Sequence, residues 1–149
     1  MRIGRPKLIL NPYDWLPGYG ESKVSFRSVG SDVILDVEYE RDVPGAEDAY
    51  TVQSLRRSIS FKDVRAFVRV PFPGNMFFNF NGDSSEFGLG ELTEFMESEW
   101  ACPAREIFHP VSVISPQGVK HFSIQFLSEN VAFHVLAETV SLSEEQLVV

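Results

Sequence analysis

A single cysteine, Cys102, stands in the chain of 149 residues, so no disulfide can close within it. Such sparse cysteine fits a reducing compartment, and a cytoplasmic location is the expectation. No apolar run comes near the ~20 residues that a membrane-spanning helix needs. Met1–Lys7 is basic, but the apolar Leu8–Leu10 behind it is far shorter than a signal core, so neither a leader nor a membrane anchor is expected. Positive charge is scarce in the second half. Residues 81–149 hold eleven acids and only Arg105 and Lys120 as bases, a net of −9, against +1 for residues 1–80 and −8 for the whole chain. Non-specific nucleic-acid binding runs on cationic side chains that release counterions from phosphates, so this charge argues against nucleic acid as a partner. Motif-grade catalytic and metal-ligating spacings are also missing, and no metal or cofactor is expected.

Aromatic side chains are plentiful instead. The thirteen phenylalanines, two tryptophans and four tyrosines are large core-forming groups, each able to bury about 150–250 Å². A single domain over residues 1–149 is expected, and at this length it buries about 68–70% of its unfolded surface without covalent staples. Residues 1–20 carry Pro6, Pro12, Pro17, Gly18 and Gly20 and read as an irregular lead-in with a short strand at Lys7–Leu10, pinned by Tyr13 and Trp15. Residues 143–149 read as a frayed tail.

Alternation of apolar and polar residues marks most of the body. Lys23–Val29 and Asp32–Glu40 flank a Gly30-Ser31-Asp32 turn and should form a hairpin. Val33, Leu35, Val37 and Tyr39 then share one face, and Ile34, Asp36, Glu38 and Glu40 the other. Tyr50–Phe61 reads as a long strand, Lys62-Asp63 as a turn, and Val64–Phe72 as a strand setting Val64, Ala66, Val68 and Val70 against Arg65, Phe67 and Arg69. Met76–Phe80 is a short apolar edge strand or a core-filling loop. Lys120–Leu127 sets Phe122, Ile124 and Phe126 against His121, Ser123 and Gln125, and Val131–Leu142 is one long strand beyond a Ser128-Glu129-Asn130 turn.

One stretch carries helical spacing. Leu89, Leu92, Phe95, Met96 and Trp100 fall on one helical face, with Glu91, Glu94, Glu97 and Glu99 on the others. Pro103 ends it, and Ala104–Phe108 reads as a short second helix. The expected fold is therefore α+β: a bent, mainly antiparallel sheet of six to eight strands, with one main helix at about 89–101 packed on one face.

Each candidate chemistry is incomplete. His121 and His134 could meet across the closing hairpin, but pairing around Glu129 sets His121 opposite a residue near Leu136 or Ala137, and both read as polar-facing surface groups rather than a metal or catalytic pair. Cys102 with His109 has the ingredients of a thiol nucleophile and base, yet its acidic surroundings oppose a thiolate and Cys102 reads as a packing residue. The loop holding Gly82, Gly88 and Gly90 carries Asp83 and Glu86 and no lysine, so Ser84 or Ser85 capping a helix is the better reading than a phosphate cradle. Arg56, Arg57, Lys62, Arg65 and Arg69 around Phe67 have the composition of a base-stacking strand face, but are expected to pair with neighbouring acids. The carboxylate pairs Glu91/Glu94, Glu94/Glu97 and Asp36/Glu38 read as solvated faces rather than a glycosidase dyad.

Tyr50–Phe61 followed by Lys62-Asp63-Val64-Arg65-Ala66-Phe67 resembles the strand, F-x-x-V-R turn and strand of small bacterial domains of immunity or uncharacterised type. The closing hairpin, Lys120–Ile124 to His134–Glu138, is similar to theirs. The resemblance covers about half the chain and carries over no functional residue. It implies an acidic protein that neutralises a secreted toxin by binding it. The leading expectation is thus a non-enzymatic cytoplasmic protein-binding domain of immunity type. It would dock a basic partner through its acidic C-terminal half, with Glu91, Glu94, Glu97 and Glu99 as contact residues. The alternative is a small-ligand-binding domain with an aromatic-lined pocket under the bent sheet. A third reading is an enzyme using His121, His134 and a carboxylate.

Overall fold

The computed structural model describes residues 2–18, 20–45, 50–71, 88–101 and 118–148. Ten strands run through them in chain order: β1 (Pro6–Leu10), β2 (Lys23–Val29), β3 (Asp32–Pro44), β4 (Tyr50–Lys62), β5 (Ala66–Pro71), β6 (Leu92–Phe95), β7 (Lys120–Phe126), β8 (Val131–Ala137), β9 (Thr139–Leu142) and β10 (Gln146–Leu147). They form two sheets, β1-β6-β7-β8-β5 and β10-β4-β3-β2, with β9 also pairing along β4, and every pairing is antiparallel.

The sheets pack face to face, each burying its alternate residues against the other. From the second sheet come Leu35 and Val37 of β3 and Ile59 and Phe61 of β4; from the first come Phe122, Ile124 and Phe126 of β7 and Phe133 and Val135 of β8. The β2–β3 hairpin forms where the alternation placed it, with Val33, Leu35, Val37 and Tyr39 buried. Gly30 takes φ +61 at the first position of its two-residue turn, a conformation that favours glycine.

The helix expected at 89–101 is not there. Among the described residues no helix reaches seven residues, and the α+β assignment is corrected to an antiparallel β architecture. Leu92–Phe95 is instead an inner strand, paired with β1 on one side and β7 on the other. All four of its residues are buried. Leu92 faces the inter-sheet core, while Phe95 faces the opposite side with Ile3 and Trp100. A strand covered on both faces shows no polar–apolar alternation, so its hydrophobics fell into helical spacing by default. Local forces offered a helix little: the glutamates repel at i, i+3, and Gly90, at φ +83, gives way to the Tyr13 ring, which a Cβ there would meet at 2.6 Å.

Two other expectations change in detail. Val131–Leu142 is not one strand, because Glu138 breaks it. Ala137 pairs with Lys120 in the first sheet, whereas Thr139 pairs with Lys62 in the second. The Glu138 amide donates to the Lys62 carbonyl at 2.9 Å, and its carboxylate pairs with Arg65 at 3.4 Å. The closing segment is also tied down, since Gln146 and Leu147 pair with Arg56 and Leu55 of β4. The readings made for Met76–Phe80, for the Asn81–Phe87 part of the glycine loop with Ser84 and Ser85, for Cys102 and His109, and for Ala104–Phe108 lie outside the described residues.

Candidate functional site

The register sets His121 opposite Leu136 and Ser123 opposite His134, so the two histidines are diagonal neighbours on one face. Their rings meet, His121 Nε2 lying 3.1 Å from His134 Nδ1. The turn after β6 brings in Ser98, whose Oγ is 2.6 Å from His121 Nδ1 and accepts the Trp100 amide at 3.2 Å. With the Ser98 hydroxyl donating to His121 Nδ1 and His121 Nε2–H donating to His134 Nδ1, both ring nitrogens of His121 are engaged. The Phe95 and Trp100 rings sit edge-on to His121, each at 5.0 Å. Burial, together with the neighbouring His134, lowers the His121 pKa to about 2, and burial lowers that of His134 to about 4; both are neutral at physiological pH.

Serine, base and orienting group are the parts of a nucleophilic triad. Yet Ser98 and His121 are fully buried and His134 is 1% exposed. A nucleophile must reach its substrate, and the Ser98 side chain has no solvent exposure. The arrangement reads as a buried polar chain that fixes the turn after β6 to the β7–β8 ladder. Among the described residues no group of three or more histidine, cysteine, aspartate or glutamate side chains could hold a metal ion.

The four glutamates proposed as a docking face do not share one. Glu91 lies in the turn before β6, and Glu94 is buried within that strand. Glu97 accepts the Arg5 amide and Nε, both at 2.8 Å, which hold its carboxyl below the usual range. Glu99 accepts the Arg2 amide at 3.0 Å. Three members of the basic stretch pair with acids, as expected, Arg65 with Glu138 among them. Arg56 pairs with Glu38 at 2.7 Å and Lys62 with Asp32 at 2.9 Å, and Arg57 lies 5.4 Å over the Trp15 ring. Phe67 is no surface platform, because it stacks on Phe133 at 5.6 Å in the inter-sheet core.

What remains open is the end of the second sheet. β3 has thirteen residues and β2 has seven, so β2 covers β3 only from Asp32 to Glu38. Beyond Glu38 the chain before β2 turns away through Ser22 and Glu21, and an open cleft of about 760 Å³ lies along the bare edge. Trp15 and Tyr39 form its aromatic floor, with rings 5.3 Å apart. Tyr39 donates to Glu145, which also takes both terminal nitrogens of Arg41, at 2.8 and 2.7 Å. These bonds hold the Glu145 carboxyl below its usual range, while burial and the adjacent Glu145 keep the Tyr39 hydroxyl protonated.

The outward face of β3 carries a row of acids: Asp32, Asp36, Glu38, Glu40 and Asp42. The first three are met by Lys62, Arg27 and Arg56, and Lys23 stands opposite Glu38. Compensation stops where β2 stops. Among the described residues no ion pair or side-chain hydrogen bond reaches Glu40, Asp42 or the nearby Glu21. Two buried donors of residues lining the same cleft, Trp15 Nε1 and Ser22 Oγ, also have no hydrogen-bond partner among the described residues. Sequence reading found the acidic face of β3 but not the cleft, which follows from the unequal arms of the hairpin. The one available signal was that polar residues keep alternating past Glu40, through Asp42, with no counterpart in β2.

Compared with known proteins, the chain matches no family model, and no curated protein or solved structure is significantly similar to it.

Proposed function

We propose that this chain is a non-enzymatic protein-binding domain that docks a basic partner in the acidic cleft at the end of β2 and β3. The uncompensated carboxylates of Glu21, Glu40 and Asp42 around a cleft also lined by Trp15 and Tyr39 carry this reading. The net charge of −8 favours the same partner at long range, speeding encounter more than it strengthens the final complex. A secreted toxin with a basic surface, met in the cytoplasm, is the partner the immunity-type resemblance suggests. The cleft replaces the acidic helix as the docking surface, because Glu21, Glu40 and Asp42 have no ion-pair partner among the described residues while Glu97 and Glu99 are already bonded.

Titration with hexalysine tests this reading. Binding is expected at low salt, falling steeply as ionic strength rises and the Debye length shrinks to about 10 Å at 0.1 M. The double variant Glu40→Gln/Asp42→Asn should weaken it about tenfold, two exposed ion pairs contributing up to about 1 kcal/mol each. Equal affinity of the variant and the parent, or no binding at low salt, would overturn the reading.

A further inference from the structure

We infer that the bare edge of β3 is a strand-addition site, and that its occupant is an extended basic segment of the partner protein. The inference rests on the proposed basic-partner reading and adds the mode of recognition. Its first support is the hydrogen-bond parity of β3. The two-residue turn makes Val29 and Asp32 the closing hydrogen-bonded pair of the hairpin, so even-numbered β3 residues direct their backbone groups toward β2 and odd-numbered ones toward β4. The far side of β4 agrees: the Ser58 and Ser54 carbonyls accept the Ser143 and Val148 amides at 2.8 and 2.9 Å, so even-numbered β4 residues face away from β3. Ser54 lies opposite Glu40. The backbone N–H and C=O groups of Glu40 and Asp42 therefore look into the cleft, and no described residue pairs with them. Unpaired groups of this kind are a template for another strand.

The second support is the charge along that edge, which selects the occupant. β2 shows what a strand in this position carries: Lys23 and Arg27 on the outward face, beside Glu38 and Asp36. A strand continuing the line of β2 would set its outward residues beside Glu40 and Asp42, where alternate lysines or arginines complete the same pattern. The intervening residues would lie over Tyr39 and Trp15, whose rings suit apolar side chains, since Arg57 already lies over Trp15. A second copy of this chain pairing through the same edge would set Glu40 and Asp42 against their own duplicates, and like charges directly opposite one another are destabilising. The acids thus guard against self-association while accepting a basic strand.

The probe is an alternating Lys–Val octapeptide, compared with a Glu–Val octapeptide and with a Lys–Val octapeptide N-methylated at every second residue. N-methylation keeps the charge and removes the donors along one edge, so both registries of methylation are titrated. The Lys–Val peptide should bind. At least one methylated form should bind about tenfold or more weaker, each lost backbone bond being a sizeable fraction of the whole, and the Glu–Val peptide should not bind. Asp42→Pro removes the edge donor of β3 without touching a bond to β4, and should lower affinity similarly while the variant unfolds as the parent does. If this variant fails to fold, the methylated peptides decide alone. Equal binding of the Lys–Val peptide and both methylated forms overturns strand addition and leaves the electrostatic reading standing. Absence of binding by any basic peptide overturns both. Dimerisation abolished by Asp42→Pro would overturn the choice of occupant, making the partner a second copy of the chain.

Discussion

Lowering the pH from 7 to 5 is expected to destabilise the fold by on the order of 4 kcal/mol, through the buried histidine pair. His121 and His134 titrate at about 2 and about 4 in the folded chain, against about 6.5 when unfolded. Well above pH 6.5 both states are neutral and the pair contributes no pH dependence. Between 6.5 and 4 the unfolded chain takes up two protons that the folded chain refuses, so each pH unit lowers stability by about 1.4 kcal/mol per histidine. Chemical denaturation at a series of pH values should therefore show a slope close to two protons over this window. His134→Gln should halve the slope. A stability constant to within about 1 kcal/mol between pH 7 and 5 would contradict the burial of these rings. Carboxyls already held below their usual range, those of Asp32 by Lys62 and of Glu97 by Arg5, begin to lose their favourable contribution only at lower pH, in the same direction.

Phe133→Ala is expected to remove about 3–5 kcal/mol, a large part of the stability of a domain this size. Phe133 is 1% exposed in β8, a strand flanked on both sides by β7 and β5. It stacks on Phe67, meets Phe126 edge-on at 5.9 Å and Phe26 at 6.3 Å, and so ties β2 of one sheet to β5 and β8 of the other. Removing the ring leaves a cavity that two laddered strands cannot collapse to fill, so the lost transfer energy and the cavity penalty add. Phe133→Leu keeps most of the volume and should lose far less. Urea unfolding of both variants measures the difference; a loss below about 1 kcal/mol for the alanine variant would show that the inter-sheet core lies elsewhere.

How legible the fold was depended on how many faces of each strand are buried. β3 has one dry and one wet face, and Val33, Leu35, Val37 and Tyr39 announced both the strand and its orientation. β6 is dry on both faces and only four residues long, so Leu92 and Phe95 gave no period of two, and pairing with two strands distant in sequence decided the outcome. The same double burial explains the histidines. Their diagonal registry follows from the turn at Glu129, but the polar alternation in β7 predicts a wet face, whereas His121, Ser123 and Gln125 are buried. Alternation reports a difference between two faces, not which face meets water. The switch of sheet at Glu138 and the cleft at Glu40 and Asp42 left fainter marks still. Each depends on where a neighbouring strand ends, and a strand's own residues do not encode that.

Residue-resolved amide hydrogen exchange along β3 reads the unpaired edge from Glu40 to Asp42 one amide at a time. Ile34, Asp36 and Glu38, bonded toward β2, and Tyr39, Arg41 and Val43, bonded toward β4, should be protected. The Glu40 and Asp42 amides should exchange freely in the isolated protein and become protected when the Lys–Val octapeptide is added. Strong protection of both amides in the absence of any partner would show that the edge is already paired, and the docking site would then be wrong.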